Sequence, residues 1–371
     1  MAKKIILSAG GTGGHLFPAI ALGEELSKIP GYSVHLVTDL RCKKYLPADL
    51  GFEAHIIDIY LKFSAKAGKK SKVSNIYNKV RSIFYLIKAG IKSFFLTSRL
   101  KPDIVIGFGG YPSLPMLLWA RIFRIPVIIH EQNCFLGKVN RLFADYAKLI
   151  ALSYPETVNI DKYDKKKIII TGDLVRESIK NLPNNYNPNN EFFTIFIVGG
   201  SQGARFFSTL VPEAIEKLLT LKPDTKIKII QQSSLEDQEN LRNRYSKLGL
   251  ECELSDFFRN ITNIYAKSML VISRSGAGTI AELKYVGVPA IFIPYPHSSE
   301  DHQYFNAKAI ENSGGGRCFR EENITPEILA EELFTFITNP ELLLKASQNL
   351  LKLREIGAVR NLSDTVTKII N

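Results

Sequence analysis

Two glycine-rich segments of the sequence each follow a short apolar run and precede a run with helical spacing. They are residues 10–15 (GGTGGH) and residues 199–204 (GGSQGA). Glycine lets the backbone approach a phosphate closely, and the first N–H groups of a helix point at the bound anion. Residues 107–113 (GFGGYPS) also follow an apolar run. Three such turns at the carboxyl ends of strands predict a ligand crevice between two open α/β sheets.

The spacing of these glycines excludes one common nucleotide-binding motif and disfavours another. Neither of the first two segments is G-x-x-x-x-G-K-[ST], which excludes an ATPase P-loop, and neither is G-x-G-x-x-G, which disfavours a nicotinamide cofactor. No D-x-D occurs, so a metal held through that motif is not expected, and we expect no cofactor. Each segment could be a tight turn without a ligand, but two at matching places favour phosphate binding.

The apolar runs predict two doubly wound, Rossmann-like α/β domains of parallel strands joined by crossover helices. Buried strands are predicted at residues 5–7, 33–38, 104–107, 127–130, 148–152, 194–198, 226–231, 269–273 and 290–293. Helices are predicted at residues 16–26, 210–221 and roughly 340–371. We place the domains at residues 1–175 and 176–354, and residues from about 355 to 371 could pack back on the first domain.

Charge is concentrated in one segment of the chain. The net charge is +12, and the interval between Asp58 and Asp103 holds 11 lysines and arginines but no acidic residue. Such a patch indicates an anionic partner, either nucleic acid or an anionic membrane. The four cysteines are isolated and form no C-x-x-C, which argues against a disulfide framework or a cysteine zinc site. No apolar stretch is long enough to span a bilayer.

The basic segment also has apolar residues at helical spacing, and a second apolar and basic run surrounds Trp119. The simplest interpretation is an amphipathic helix whose apolar stripe packs on the core and whose lysines face solvent. However, Ile83, Leu86 and Phe95 lie off that stripe, so an interfacial helix on anionic lipid accounts better for the pattern. No nucleic-acid-reading motif is present. The residues predicted to meet the membrane are Lys72, Ile76, Lys79, Val80, Arg81, Phe84, Ile87 and Trp119.

Six ordered motifs together resemble the MurG family of glycosyltransferases of bacterial peptidoglycan synthesis. Four are the three glycine segments above and residues 130–133 (HEQN). The others are residues 274–277 (RSGA) with Glu282, and the run from Asp301 to Gln303 with Asn306 and Ala307. The resemblance implies a GT-B fold and inverting transfer of GlcNAc from UDP-GlcNAc to the C4 hydroxyl of MurNAc in lipid I, giving lipid II. The alternative is another membrane-associated GT-B transferase, such as a diacylglycerol glucosyltransferase.

The resemblance also implies a cellular setting. It implies a peripheral enzyme at the cytoplasmic face of the plasma membrane, with UDP-GlcNAc, lipid I and an anionic membrane surface as partners and no nucleic acid. Other proteins of cell-wall synthesis are further expected partners. Cell-wall biogenesis of this kind bears on cell shape and division.

Residues that match the family's motifs carry its expected roles. The donor UDP-GlcNAc is expected to contact residues of both predicted domains, with Phe258 beside the uracil and Glu282 on the ribose hydroxyls. The alternative for Glu282 is a surface helix charge. The full donor set is Thr12, Gly13, Asn133, Arg176, Ser201, Gln202, Phe258, Gly278, Thr279, Glu282, His302 and Gln303. Arg274 is a further candidate near the phosphates or the domain junction.

The acceptor and the catalytic groups are expected on the first domain. The resemblance implies catalytic roles for His15, Glu131 and Asn133. His15 could act as general base, bind the acceptor pyrophosphate, or cap its own turn. The expected acceptor and phosphate contacts are Gly13, Gly14, His15, Gly109, Gly110 and Tyr111.

One motif departs from the family. The family often has Gly-Asn-Pro-Val-Arg at the domain junction, whereas residues 172–176 read Gly-Asp-Leu-Val-Arg here. Arg176 is kept, but the Asn-Pro pair is not.

Overall fold

The computed structural model describes residues 2–59, 72–182 and 186–371, with the side chains of residues 72–80, 200–204 and 299 excepted. The chain divides into two compact units. The N-terminal unit contains residues 1–176 and 355–371, and the C-terminal unit contains residues 177–354. Within the described ranges, no helix combines the length and the apolar character that crossing a bilayer requires.

Strands and helices alternate along both units. The strands are β1 (Lys3–Ser8), β2 (Tyr32–Thr38), β3 (Glu53–Ile56), β4 (Ile104–Gly107), β5 (Val127–Glu131), β6 (Leu149–Leu152), β7 (Ile168–Ile170), β8 (Phe193–Val198), β9 (Ile227–Gln232), β10 (Glu251–Ser255), β11 (Leu270–Ser273), β12 (Ala290–Phe292) and β13 (Gly316–Cys318). The helices are α1 (Gly13–Leu26), α2 (Lys72–Leu100), α3 (Leu114–Ile122), α4 (Lys138–Phe143), α5 (Glu177–Lys180), α6 (Gly200–Leu221), α7 (Leu235–Lys247), α8 (Ile261–Lys267), α9 (Ala277–Val286), α10 (His302–Asn312), α11 (Pro326–Thr338), α12 (Pro340–Lys352) and α13 (Ala358–Ile370).

The N-terminal unit is built on a parallel sheet with the strand order β3-β2-β1-β4-β5-β6-β7 over the described residues. Side chains alternate between the two faces, so Ile5 packs in one core layer and Ile6 in the other. The first layer is covered by α1 and α13, and the second by α2 and α3. Because both faces are covered, the strands are almost wholly apolar.

The C-terminal unit repeats this plan with the order β10-β9-β8-β11-β12-β13. Phe207, Leu218 and Leu333 from α6 and α11 pack against Ile195 and Ile229 of the sheet. The predicted α/β class with two doubly wound domains is therefore confirmed. In each unit the chain reverses strand order at the first strand, and it is at such switch points that open sheets bind ligands.

All three helix predictions are wrong in their bounds. Helix α1 begins at Gly13, three residues before the predicted start. Helix α6 begins at Gly200, ten residues before the predicted start, so Pro212 lies inside the helix and not in its first turn. The predicted last helix is two helices, α12 and α13, separated by a segment that ends at Gly357 in the left-handed region (φ 91°). Helix α13 packs Leu362 and Val366 into the N-terminal core beside α1.

Candidate functional site

The first glycine segment forms a turn between β1 and the first turn of α1. Thr12 is the N-cap residue, in extended conformation, and α1 begins at Gly13. The N–H groups of Gly13 and Gly14 belong to the first helical turn, where no preceding turn offers a carbonyl. Gly11 adopts φ +88°, which favours glycine, and its N–H donates to Asp39 Oδ1 (3.4 Å). The helix start is thus built for an anion.

The glycine turn at residues 107–113 lies against the turn at residues 10–15 because β1 and β4 are neighbours in the sheet. A Cβ added to Gly110 would lie 3.0 Å from the carbonyl oxygen of Gly10 and 3.7 Å from His15 Cε1. Gly109 and Gly110 both have positive φ, at 80° and 73°. The structure therefore brings together the predicted acceptor residues of both turns, and Tyr111 follows them with its ring exposed.

His15 is half-buried in the first turn of α1, beside Gly110. Its Nδ1 lies 3.1 Å from the Thr12 hydroxyl oxygen. This contact joins two side chains of the same turn, and it fixes the ring orientation that a base or a phosphate ligand would need. The three roles considered for His15 are all compatible with its position.

Glu131, predicted to be catalytic, is buried at the end of β5 with its carboxylate surrounded by N–H donors. The backbone N–H of Asn133 donates to Oε1 (3.1 Å), and so does the Asn133 amide (2.8 Å). Oε2 accepts from the Gly137 N–H (2.9 Å) and from the Asn140 amide (2.9 Å). Burial raises the pKa of Glu131, and these four hydrogen bonds oppose that rise. The geometry favours a positioning role, in which Glu131 holds Asn133 and the following loop.

His130 of the same motif is fully buried, and its ring lies 5.4 Å from the ring of Phe108. Burial lowers the pKa of His130 to about 3, so the imidazole is neutral. Its surroundings make it a packing residue of the sheet.

Among the donor residues predicted in the C-terminal unit, Gly278 and Thr279 follow β11, and His302 and Gln303 follow β12. Gly276 is the N-cap of α9, and Gly278 and Thr279 lie in its first turn. A Cβ added to Gly276 would meet nothing within 4 Å, so the approach to this helix start is open. An open helix N-terminus can hold a diphosphate through backbone N–H groups.

Helix α10 is tied to the same edge by Gln303. The Ser275 hydroxyl donates to the Gln303 carbonyl oxygen (2.8 Å), and the Tyr295 N–H donates to Gln303 Oε1 (2.9 Å). The Asn306 amide donates to the Ser275 carbonyl oxygen (3.3 Å). His302, the first residue of α10, is half-buried at this edge.

Phe258 and Glu282 are linked by two aromatic rings. Phe258 lies 5.7 Å from Phe196, centroid to centroid, and Phe196 lies 5.8 Å from Tyr265. The Tyr265 hydroxyl donates to Glu282 Oε2 (3.0 Å). Glu282 is only 8% exposed, which contradicts the alternative of a surface helix charge. Sequence reasoning missed Tyr265, because one tyrosine in a short helix carries no motif.

Arg274, a candidate near the phosphates or the domain junction, is buried, and both of its terminal nitrogens contact protein partners. Its Nη1 donates to the carbonyl oxygens of Ile293 and Pro294 (3.0 Å each), and its Nη2 pairs with Glu321 (2.5 Å). The guanidinium also lies 5.1 Å from the Phe207 ring. Arg274 therefore links the carboxyl end of β11 to the segment that follows β12 and to Glu321.

Two arginines of the N-terminal unit flank its glycine turn. The Arg176 guanidinium lies 4.0 Å from the centre of the Phe17 ring, next to Gly13. Arg41, which sequence reasoning missed, places Nη2 3.5 Å from a Cβ built on Gly11 and pairs with buried Asp39 (2.5 Å). The signal for Arg41 was its place just after β2, the strand next to β1. The predicted donor residues Ser201 and Gln202 lie outside the described side chains.

On the described part of α2, three residues of the apolar stripe face solvent, whereas a fourth, Phe94, is half-buried. Phe84, Ile87 and Ile91 are 63%, 58% and 52% exposed, with Ile83 and Phe95 beside them. The buried face of α2 carries mostly small residues: Ser82, Ala89, Ser93, Leu96, Thr97 and Leu100.

Helix α3 adds to this surface. Trp119 is half-buried, donates from Nε1 to the Gly90 carbonyl oxygen (2.7 Å) and packs 4.9 Å from Phe94. Leu118 and Ile122, which were not predicted, are exposed nearby in sequence. Arg81 is exposed as well. The side chains of four predicted membrane residues lie outside the described ones: Lys72, Ile76, Lys79 and Val80.

Known proteins resemble the chain over its whole length. Two family models match, the glycosyltransferase family 28 N-terminal domain over residues 5–152 and the C-terminal domain over residues 194–360. The UDP-N-acetylglucosamine–N-acetylmuramyl-(pentapeptide) pyrophosphoryl-undecaprenol N-acetylglucosamine transferase of Rickettsia felis is 44% identical, covering 99% of this chain and 100% of the relative. The transferase of the same name from Rickettsia canadensis is 46% identical, with the same coverage. The crystal structure of Acinetobacter baumannii MurG matches with a TM-score of 0.72 and 27% identity, covering 99% of both chains.

Proposed function

The chain belongs to glycosyltransferase family 28, and we propose that it transfers GlcNAc from UDP-GlcNAc to the C4 hydroxyl of MurNAc in lipid I, which yields lipid II. The observation that carries this proposal is full-length identity of 44% and 46% to transferases named for this reaction. The two glycine-lined sheet edges supply sites of the right chemistry, since both substrates contain a diphosphate.

The C-terminal unit binds the donor in this proposal. UDP leaves during transfer, so charge develops on its β-phosphate, and the N–H groups of Gly278 and Thr279 at the start of α9 stabilise that charge. Glu282 accepts hydrogen bonds from the ribose hydroxyls, and Phe258 packs on the uracil. His302 and Gln303 lie at the same edge, where the GlcNAc hydroxyls would be read. No metal is required for these contacts.

The N-terminal unit binds the acceptor. The first turn of α1, with Gly13 and Gly14, and the Gly109–Gly110 turn hold the pyrophosphate of lipid I through backbone N–H groups. Arg41 adds a cation beside this turn. The MurNAc C4 oxygen attacks the anomeric carbon of GlcNAc as the bond to UDP breaks, and the configuration inverts. The hydroxyl proton passes to a base, for which His15 is the best placed group, while Glu131 orients Asn133 toward the sugars.

A direct assay tests the reaction. We expect the purified chain to release UDP when given UDP-GlcNAc and lipid I in detergent or vesicles, and to form the disaccharide-linked lipid. Diacylglycerol in place of lipid I should give no UDP release above the acceptor-free background. UDP release with diacylglycerol and none with lipid I would reject the proposal in favour of the glucosyltransferase alternative.

The exposed stripe on α2 is the proposed contact with an anionic membrane surface. Its apolar residues lie among exposed lysines and arginines: Arg81, Lys88, Lys92 and Arg99. This combination suits an interfacial helix that buries its apolar side in the headgroup region and pairs its cations with anionic lipid. A membrane-bound location also fits a lipid acceptor.

The double substitution Phe84→Ser and Ile87→Ser should weaken binding to vesicles containing phosphatidylglycerol by at least ~10-fold. Burial of each side chain contributes roughly 1.5–3 kcal/mol, and a change of ~1.4 kcal/mol is tenfold. Sedimentation with vesicles gives the partition coefficient. The matched control is Phe334→Ser with Ile356→Ser, which removes exposed apolar residues elsewhere. If both double variants sediment like the parent, α2 is not the membrane contact.

A further inference from the structure

Three side chains away from both glycine edges form a cluster at the β2–β3 edge of the N-terminal sheet. His35 on β2 is paired in register with Glu53 on β3, and Val37 with His55. The side chains of His35, Glu53 and His55 therefore project to one face of the sheet. Each offers a nitrogen or carboxylate ligand atom, and these atoms lie within 4.8 Å of one another.

The distances within the cluster are those of ligands around one ion. His35 Nδ1 lies 3.2 Å from His55 Nε2 and 3.2 Å from Glu53 Oε2, and His55 Nε2 lies 3.7 Å from Glu53 Oε1. Zinc binds nitrogen and carboxylate oxygen at ~2.0–2.2 Å in tetrahedral geometry, which sets its ligands ~3.3–3.5 Å apart. An ion would fit among the three groups with small side-chain shifts.

The protonation states suit metal binding. Burial lowers the pKa of both His35 and His55, although Glu53 opposes this effect. Neutral imidazole is the form that binds a metal. The Ser33 hydroxyl lies 3.1 Å from His35 Nε2, and a contact of this kind to the other ring nitrogen would hold the orientation of a metal-binding histidine.

Cations near the cluster act against a divalent ion, and Glu53 offsets them in part. Lys4 and Arg99 are close enough to lower the pKa of His35, and Arg99 also lowers that of His55. The Glu53 side chain is 60% exposed, so one side of the cluster opens to solvent. Solvent can therefore supply the fourth ligand as water, as in a site with three protein ligands.

We propose that His35, Glu53 and His55 bind one zinc ion, with water as the fourth ligand. The ion would join edge strand β3 to β2 by a second kind of link, because β3 lies at the end of the sheet order with β2 as its neighbour. It would replace the direct contact between His35 Nδ1 and His55 Nε2, which lie 3.2 Å apart. Because protons compete with a metal for imidazole nitrogens, binding is expected to weaken as the pH falls.

Zinc titration of the full chain, without a histidine tag and after chelator treatment, tests the proposal. Competition with a chromophoric indicator should show one high-affinity equivalent. Glu53→Gln and His55→Gln should each weaken that affinity by ~100-fold or more. Loss of a residue that only hydrogen-bonds to a metal ligand already weakens metal affinity by ~10–100-fold. His297→Gln, which removes a histidine of the C-terminal unit, should bind zinc like the parent.

Cobalt(II) separates this site from the cysteines. The parent should show the visible bands of a tetrahedral cobalt site and none of the near-ultraviolet charge-transfer bands of a thiolate ligand. The visible bands should be lost in Glu53→Gln and in His55→Gln. Zinc should raise the unfolding temperature of the parent but not that of Glu53→Gln. Because the Glu53 side chain is exposed, the substitution should not disturb folding, and a lost zinc effect would reflect the lost ligand. Parent-like zinc affinity in both variants, thiolate bands, or no zinc equivalent in the parent would each overturn the proposal.

Discussion

Replacement of His15 by alanine is expected to lower kcat for lipid II formation by ~10²–10⁴-fold, the range for loss of a general base. His15 is held at the start of α1, with Nδ1 3.1 Å from the Thr12 hydroxyl and Cε1 near Gly110. It is therefore fixed where the acceptor pyrophosphate turn begins. The measurement is steady-state kinetics with both substrates varied, together with the pH profile of kcat.

The three roles of His15 give different patterns in that experiment. If His15 is the base, its loss leaves the KM for UDP-GlcNAc nearly unchanged, and the variant loses the acidic limb of the parent's pH profile. If His15 binds the pyrophosphate, its loss raises the KM for lipid I and leaves kcat close to the parent value. If His15 caps the turn, its loss lowers stability by ~0.5–2 kcal/mol with little effect on the kinetics. Thr12→Val, which removes only the hydroxyl beside Nδ1, is the matched control and should lose much less activity than His15→Ala.

The convergence of the glycine turns at residues 10–15 and 107–113 is predictable from sequence once the strands are correct. Carboxyl ends of adjacent parallel strands meet at one edge, and β1 and β4 are adjacent across the switch point of a doubly wound sheet. The nine strands predicted from apolar runs are all present. Their interior positions in the two sheets explain why, since strands buried on both faces read as continuous apolar runs.

The strands that sequence reasoning missed are the four at the sheet edges. They are β3, β7, β10 and β13, each of three to five residues. An edge strand has one unpaired side and is partly solvated, so its residues need not be apolar, as in EAHI of β3. The cluster of His35, Glu53 and His55 is not predictable from sequence for the same reason, because it depends on the register between β2 and the unpredicted edge strand β3.

The orientation of α2 shows a different limit of sequence patterns. Its apolar stripe has the periodicity of a core-facing helix, yet Phe84, Ile87 and Ile91 are exposed and Ser82, Ala89 and Ser93 are buried. Periodicity reports that one face is apolar, but not whether its apolar neighbour is the protein core or a lipid surface. Small side chains on the other face allow close packing on the sheet. The exposed stripe therefore strengthens the membrane proposal.

The sequence context of a site residue predicts its place in the fold better than it predicts the contacts of its side chain. Glu131 lies in a motif that suggests chemistry, but its four N–H donors come from a loop whose path the sequence does not give. Arg274 likewise follows a strand end like a phosphate ligand, yet folds inward to Ile293, Pro294 and Glu321. Strand ends locate a site, whereas side-chain direction there depends on tertiary partners.

Glu282→Gln is expected to lower kcat/KM for UDP-GlcNAc by ~10–100-fold. Hydrogen bonds to a charged group contribute ~1.5–3 kcal/mol, and the amide lacks the charge and has one acceptor oxygen where the carboxylate has two. Glu282 is buried and held by the Tyr265 hydroxyl, so its position is set before the donor binds. The loss should fall mainly on the KM for UDP-GlcNAc, with the KM for lipid I unchanged.

A donor with 2′-deoxyribose tests whether the lost interaction is the one with the sugar of the nucleotide. The parent should discriminate against this donor by ~10-fold or more, whereas Glu282→Gln should use both donors almost equally. Tyr265→Phe, which loses only the hydroxyl that holds Glu282, should weaken the use of UDP-GlcNAc less but keep discrimination between the donors. If Glu282→Gln still prefers the ribose donor as strongly as the parent does, the carboxylate contacts another part of the nucleotide. The helix start of α9 would then have to bind the donor without Glu282 as its ribose anchor.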